Sequence, residues 1–301
     1  MSKIGIISGG GKLPILIGNS LVKKNYEVVF FIIEDSVERK DYLNLKTVEI
    51  KLNSIKKIFK KLEENHINKI ILAGNIKRPS IKDINFDFET INFAKKLFLS
   101  KKGDNELLIA IAKLFREKGF EYLDWKSYCP ELFASKTNLT RRLPTKEANL
   151  NLSKALNVFK NYGNLDIGQS LIVQNEIVLG LEAAEGTDQL IIRCNDLKKN
   201  GDKGVLIKAS KYNQSNILDI PTIGKQTLKL LINNDYEGLF IEKNHCLIID
   251  QDEVTNLANT NNLFISTFEK LWLKTKKYLS AVLSNREKIL LLIFVKDLKN
   301  T

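Results

Sequence analysis

Cysteine, histidine and proline are all scarce in this chain of 301 residues, which holds three, two and five of them. Cys129, Cys194 and Cys246 are widely spaced and odd in number. That gives neither a disulfide framework nor a zinc pattern, fits a reducing cytoplasm, and makes buried small apolar side chains the plain reading. His66 lies in a lysine-rich helical stretch and His245 precedes Cys246, so neither has a partner at metal-ligand spacing. A histidine-based acid–base mechanism or a catalytic zinc is therefore not expected. Few prolines, 44% hydrophobic and 27% charged residues describe a folded globular protein rather than a disordered one. Long apolar runs are missing too. The longest, Ile289 to Val295, has seven residues, where a spanning helix needs roughly 20. Met1-Ser2-Lys3 leads straight into an apolar stretch without a cleavage signature, so no signal peptide is expected.

The net charge of +12 is unevenly spread: residues 1–150 hold 28 basic and 18 acidic side chains, residues 151–250 hold 11 and 12, and the last 51 hold 8 and 5. A basic first half beside a near-neutral, carboxylate-bearing second half suits an anionic ligand. Nucleic acid is not expected, because the chain has no aromatic–basic RNA-binding signature, no zinc-finger spacing and no basic zipper. A solvated lysine-rich surface is the plainer account of the excess.

What is present begins with Lys3 to Ser8, a compact apolar strand, followed by Gly9-Gly10-Gly11-Lys12-Leu13-Pro14 and a helix carrying apolar residues through Leu21. Strand, glycine turn and helix form a device for phosphate, since glycines let the backbone approach the anion and helix-start N–H groups point at it. The turn is neither G-x-G-x-x-G nor a P-loop, so a purely structural turn stays open. Strand patterns follow at Glu27–Ile33, Thr47–Lys51 and Lys69–Ala73, with an amphipathic helix over Ser54–Asn65. The alternation predicts a parallel, doubly wound sheet whose ligands sit at the strand carboxyl ends. Gly74 to Ser80 is a second such end, where Arg78 is a candidate phosphate fork or a surface arginine set by the turn before Pro79. Helix patterns at Phe88–Leu99 and Glu106–Lys118 flank Gly103-Asp104-Asn105, with Asp104 as a cap.

Ser135 to Lys146 is polar, basic and turn-rich. The expected organisation is a Rossmann-like doubly wound α/β domain over residues 1–134, a linker over 135–146, a smaller α/β domain with a carboxylate cluster over 147–268, and a basic, apolar tail over 269–301. In the second domain Glu147–Tyr162 reads as a helix, and Ser170–Val173 and Ile177–Leu181 read as a hairpin turning at Gln174-Asn175-Glu176. Glu182, Glu185 and Asp188 then gather at a strand-to-helix junction, with Thr187 or Asp188 able to cap a helix over Gln189–Leu197. Three carboxylates within seven residues call for a cation or hydrogen-bond donors, so a divalent metal is expected there. Gly204–Ala209 reads as a strand bearing Lys208, and Asp219-Ile220-Pro221-Thr222-Ile223-Gly224 as a second acidic strand-then-turn element. Short strands at Gly238–Ile241, Cys246–Asp250 and Leu263–Thr267 complete the pattern, with helices from Gly224 to Asn233 and from Asp252. The tail reads as an added amphipathic helix or as an attachment to an anionic membrane surface. A homodimer is compatible with the sequence.

Taken together, Ile7 to Pro14, Gly74 to Pro79, Gly103 to Leu108, Leu165 to Ser170, Glu182 to Asp188 and Asp219 to Gly224 resemble the LpxI-type UDP-2,3-diacylglucosamine pyrophosphatases, in order from about residue 3 to 267. The resemblance implies two α/β domains joined by a linker. It also implies a Mg²⁺-dependent hydrolase of lipid A biosynthesis that cuts the pyrophosphate of UDP-2,3-diacylglucosamine to UMP and lipid X, peripheral on the cytoplasmic side of the inner membrane. The family's essential aspartate matches Asp219. Three positions depart from the family pattern: Asn105 stands in place of an Asp, Ser215 in place of an acidic residue and Ile217 in place of an Arg.

Pyrophosphate hydrolysis needs groups that hold anionic oxygens and activate water. Asp219 is the expected metal ligand or water-positioning base, Asp188 and Glu185 the expected Mg²⁺ ligands, and Lys208 and Arg78 the phosphate stabilisers. Gly9, Gly10, Gly11 and Thr187 complete the expected phosphate and nucleotide contacts. Each carboxylate also has a plainer role: Asp219 can bond turn amides, Asp188 can cap a helix, and Glu182 can be a surface strand residue. A non-hydrolytic UDP-sugar-binding regulator is the alternative, kept open by Ile217. A nicotinamide-dependent oxidoreductase is disfavoured, Glu34 and Asp35 being the only candidates for the ribose-binding acid.

Overall fold

The computed structural model of the chain describes residues 2–34, 36–52, 54–74, 113–162, 167–210 and 220–270. Arg78, Asn105, Ser215, Ile217, Asp219, the helix expected over Phe88–Leu99 and the tail beyond Lys270 lie outside the described residues. The fold is α/β, in two compact units. The first comprises Met1–Ala134, Tyr212–Lys225 and Asn244–Val254, and the second Ser135–Lys211, Gln226–Lys243 and Thr255–Thr301.

In the first unit, β1 (Lys3–Ser8), β2 (Glu27–Ile33), β3 (Thr47–Ile50), β4 (Lys69–Ala73) and β5 (Glu121–Tyr122) form one sheet in the order β3-β2-β1-β4-β5. Every pairing in it is parallel. The near-continuous apolar runs of β1 and β2 follow from that: a parallel strand covered on both faces has no solvent side to fill with polar residues. Side chains alternate between the two cores. Ile7, Val29, Phe31, Ile70 and Leu72 pack with Ile55, Ile58, Phe59 and Leu62 of helix α2 (Ile55–Glu64), whereas Ile4, Ile6, Phe30 and Ile71 pack with Ile17 and Leu21 of helix α1 (Leu13–Lys23). Each such side chain contributes about 1.5–3 kcal/mol on burial. Packing against α1 is tight: a methyl group at Gly18 would sit 2.2 Å from the Phe30 ring. The short parallel pair β9 (Thr222–Ile223) and β11 (Leu247–Ile248) also belongs to this unit, with Leu247 in the α1-side core.

The second unit holds β6 (Ser170–Gln174), β7 (Ile177–Leu181), β8 (Val205–Lys208), β10 (Gly238–Glu242) and β12 (Phe264–Phe268) in the order β12-β10-β8-β6-β7. β8, β10 and β12 are parallel, β6 runs against β8, and β7 runs against β6. The carboxyl ends of β7, β8, β10 and β12 therefore share one edge with the start of β6. The β6–β7 hairpin closes through Asn175 (φ 50) and Glu176 (φ 59), both left-handed, as a tight two-residue hairpin turn requires. Asp202 accepts from the Asn175 N–H at 2.8 Å, and Asn151 accepts from the Glu176 N–H at 2.7 Å, so the turn amides are satisfied across the chain.

Helix α3 (Lys146–Tyr162) covers this sheet through Ala148, Ala155 and Phe159. Helix α4 (Gly186–Asn195), α5 (Lys225–Asn233) and α6 (Gln251–Thr260) follow. Residues read from sequence as a linker are stitched along β12: Leu139 donates its N–H to Ile265 at 2.9 Å and Thr267 donates to Thr137 at 2.8 Å. Buried Glu237 then accepts from the N–H and hydroxyl of Thr145, fixing the approach to α3.

Candidate functional site

The glycine turn of the first unit is built by mutual close approach. Gly9 donates to Ala73 at 2.8 Å. A Cβ on Gly74, at the end of β4, would lie 2.7–2.8 Å from the backbone of Gly9 and Gly10. Gly74 is also left-handed (φ 87), as is Gly11 (φ 89), which leads into α1. The turn therefore lies at the carboxyl end of β1 in a parallel sheet, where such folds hold ligands. The first turn of α1 contains Pro14 and no acidic residue, so its positive end is not offset by a carboxylate of its own. Lys12 projects from the turn and is ion-paired with Asp250 at 2.5 Å. That pairing raises the Lys12 ammonium above its ordinary value.

In the second unit the carboxyl edge of the sheet carries a buried polar cluster around Lys208, which is 4% exposed. Its ammonium donates to the Thr187 hydroxyl at 2.6 Å and to the Ser170 hydroxyl at 3.2 Å, and stands 3.9 Å from the Glu182 carboxylate. Thr187 in turn donates to Glu182 at 3.0 Å, and the Gln169 N–H donates to the same carboxylate at 3.2 Å. The Lys208 charge thus has a counter-charge and two hydroxyl acceptors, which is what a buried ammonium needs.

The expected cap at Thr187 or Asp188 is corrected by this arrangement. α4 begins at Gly186, with Glu185 before it and no side-chain cap. Thr187 is already inside the first turn, its hydroxyl drawn away by Lys208 and Glu182. Nor is Glu182 a surface strand residue, its side chain being 13% exposed.

Glu185 is engaged by Arg193, whose Nη2 and Nε lie 2.7 and 3.1 Å from one carboxylate oxygen. The guanidinium holds the Glu185 carboxyl below the ordinary carboxylate range. Asp188, in the first turn of α4, has no hydrogen bond or ion pair among the described residues. Also among the described residues, no three His, Cys, Asp or Glu side chains stand together as a metal cluster. Mg²⁺ commonly takes only one or two protein carboxylates and completes its shell with water and substrate phosphates. Asp188 fits that limited donor set, and Glu185 fits it less well because Arg193 holds it.

Sequence reasoning missed several participants. Ser170 stands in the sequence as the first residue of a strand pattern and the last of the Leu165 to Ser170 motif, with nothing to link its hydroxyl to Lys208. At the same sheet edge Glu242, Lys270 and Ser210 form a second buried cluster: the Lys270 ammonium lies 2.9 Å from Glu242, and Glu242 accepts from the N–H and hydroxyl of Ser210, each at 2.7 Å. The signal that could have found it is a polar residue at the end of an apolar strand, as Glu242 is, or two positions past it, as Ser210 and Lys270 are. Asp250 is 238 positions from Lys12 and gave no signal. Gly9, Gly10 and Gly11 stand in the first unit, and Glu185, Thr187, Asp188 and Lys208 in the second.

Comparison with known proteins covers both units. The LpxI N-terminal domain matches residues 3–132 and the LpxI C-terminal domain matches residues 135–266. A protein of Caulobacter vibrioides described as UDP-2,3-diacylglucosamine pyrophosphatase LpxI is 29% identical over 276 residues, covering 88% of this chain and 97% of that protein.

Proposed function

The chain belongs to the LpxI family, and we propose that it hydrolyses the pyrophosphate bond of UDP-2,3-diacylglucosamine, releasing UMP and 2,3-diacylglucosamine 1-phosphate in lipid A biosynthesis. The observation that carries this reading is the continuity of the match, which takes in 97% of the pyrophosphatase from Caulobacter vibrioides rather than one domain of it. The geometry supports it in two ways: a glycine turn sits at the carboxyl end of a parallel sheet, and buried charged side chains line the corresponding edge of another.

The substrate pyrophosphate is anionic, and the reaction spreads further charge onto its oxygens. Groups that hold those oxygens without reorganising lower the barrier. In this reading Gly10 and Gly11 offer backbone N–H groups to phosphate, Gly9 shapes the turn with its own N–H bonded to Ala73, and Arg78 offers a two-pronged guanidinium contact. Lys208 keeps the start of α4 in place through Thr187 and contributes positive potential at the sheet edge. Asp219 orients the attacking water and takes its proton. Asp188 is the described carboxylate of the second unit that would hold Mg²⁺, which when bound neutralises phosphate oxygens.

No helix among the described residues is long and apolar enough to cross a membrane. The acyl chains of the substrate nonetheless place the enzyme's work at a lipid surface, and the basic, apolar tail from 269 suits peripheral attachment on the cytoplasmic face of the inner membrane.

Phosphorus NMR tests the reaction directly. Purified protein and Mg²⁺ should convert the paired pyrophosphate resonances of UDP-2,3-diacylglucosamine into two monoester resonances. Binding without that conversion would favour the alternative, a regulator that senses the UDP-sugar, for which the departure at Ile217 is the motive.

A further inference from the structure

Asp250 has no part in the reading above, yet it is the carboxylate that meets the lysine of the glycine turn. It arrives at the end of β11, immediately before α6, with a left-handed backbone (φ 54). Its carboxylate lies 2.5 Å from the Lys12 ammonium, and the two side chains are 30% and 63% exposed. Asp250 thus brings, from a distant part of the chain, a carboxylate onto the lysine that precedes α1, a helix with no acidic residue in its first turn.

We propose that Asp250 is a resident counter-ion of Lys12: it holds the ammonium in the ligand-free turn, yields it when a phosphate group binds, and so sets the affinity of the turn for phosphates. The proposal rests on reading Gly9–Gly11 as a phosphate contact. The exchange is favourable because an exposed ion pair is weak, whereas a phosphate monoester dianion brings twice the charge and more acceptor oxygens. Asp250 then opposes the bound phosphate by like-charge repulsion, which lowers affinity and speeds release of a phosphate product. A lysine without such a partner would bind phosphate more tightly and let it go more slowly.

Asp250→Asn separates charge from shape. Asparagine accepts left-handed backbone as readily as aspartate, and the backbone hydrogen bond from Val254 N–H to the Asp250 carbonyl is retained. Calorimetric titration with UMP should give a dissociation constant about three- to tenfold lower for Asp250→Asn than for the natural protein. The gain should shrink in high salt and be largely lost when Lys12→Met is combined with it. Thermal unfolding of each variant checks that the fold is kept. If the natural protein binds UMP and Asp250→Asn binds it no more tightly, the counter-ion role is wrong while the phosphate reading stands. If neither binds UMP, the phosphate reading falls and the proposal falls with it. Weaker binding by Asp250→Asn would make Asp250 a positioning group for Lys12 and overturn the proposal.

Discussion

Lys208 at the end of β8 donates to the hydroxyl of Thr187 in the first turn of α4 across 2.6 Å, and Thr187 passes the contact on to Glu182 at 3.0 Å. One hydroxyl therefore serves as acceptor for a buried ammonium and donor to its counter-ion. Thr187→Val keeps the shape and removes both bonds. It should cost about 1–3 kcal/mol of stability in denaturant unfolding, and Thr187→Ser should recover most of it. Equal stability of the valine variant would mean that Lys208 is satisfied by Ser170 and Glu182 alone.

The second cluster at that edge is more deeply enclosed, Glu242 and Lys270 being 4% and 5% exposed. Glu242→Gln removes the carboxylate 2.9 Å from the Lys270 ammonium and should destabilise by about 3–5 kcal/mol. Adding Lys270→Met removes the buried ammonium as well, so the double variant should be more stable than Glu242→Gln alone. A double-mutant cycle by urea unfolding measures the coupling.

pH separates the buried lysine from the rest. Burial pushes the Lys270 ammonium below its ordinary value, with Glu242 opposing the shift. The unfolded chain then binds the proton more tightly than the folded one, so between the folded value and the ordinary one, near 10.4, stability rises with pH. Lys270→Met should flatten that part of the stability–pH curve. An unchanged slope would assign it to other groups.

Glu185 shows the same sign from a different cause, an ion pair rather than burial. Arg193 lowers its carboxyl, so its contribution to stability is present above the ordinary carboxylate range and is lost as pH falls through the folded value. Arg193→Met should move the Glu185 titration, followed by carbon NMR, up towards the ordinary carboxylate range.

Two left-handed glycines at the turn differ in what surrounds them. Nothing lies within 4 Å of a Cβ at Gly11, whereas one at Gly74 would meet the Gly9 and Gly10 backbone at 2.7–2.8 Å. Gly11→Ala should therefore cost only the left-handed backbone penalty, about 1–2 kcal/mol. Gly74→Ala should cost more and also weaken UMP binding, because the turn itself must move. Thermal unfolding and titration of both variants check the contrast.

The residues that were legible in the sequence share a local cause. β2 and β4 occupy the spans expected from their apolar runs, and the hairpin at Asn175-Glu176 follows from alternation broken by turn residues. What escaped was decided by distant partners. The start of α4 was misplaced because capping rules favour Thr187, whose hydroxyl is in fact drawn to Lys208, 21 positions on. β5, two residues long, has no periodicity to detect. The polar side chains around Leu139 give no sign that its backbone N–H bonds to Ile265 of β12. For the candidate site, residue types were readable from their motifs, but the partners of Lys12 and Glu185 were not.

The most direct measurement is release of UMP from UDP-2,3-diacylglucosamine by purified protein, with Mg²⁺ and with EDTA, for the natural chain and Asp219→Ala. The expected result is UMP formed with Mg²⁺, suppressed by EDTA, and reduced at least a hundredfold in Asp219→Ala, on the order of the effect of removing a general base. UMP formation unaffected by Asp219→Ala and by EDTA, or none at all from folded protein, would contradict the account.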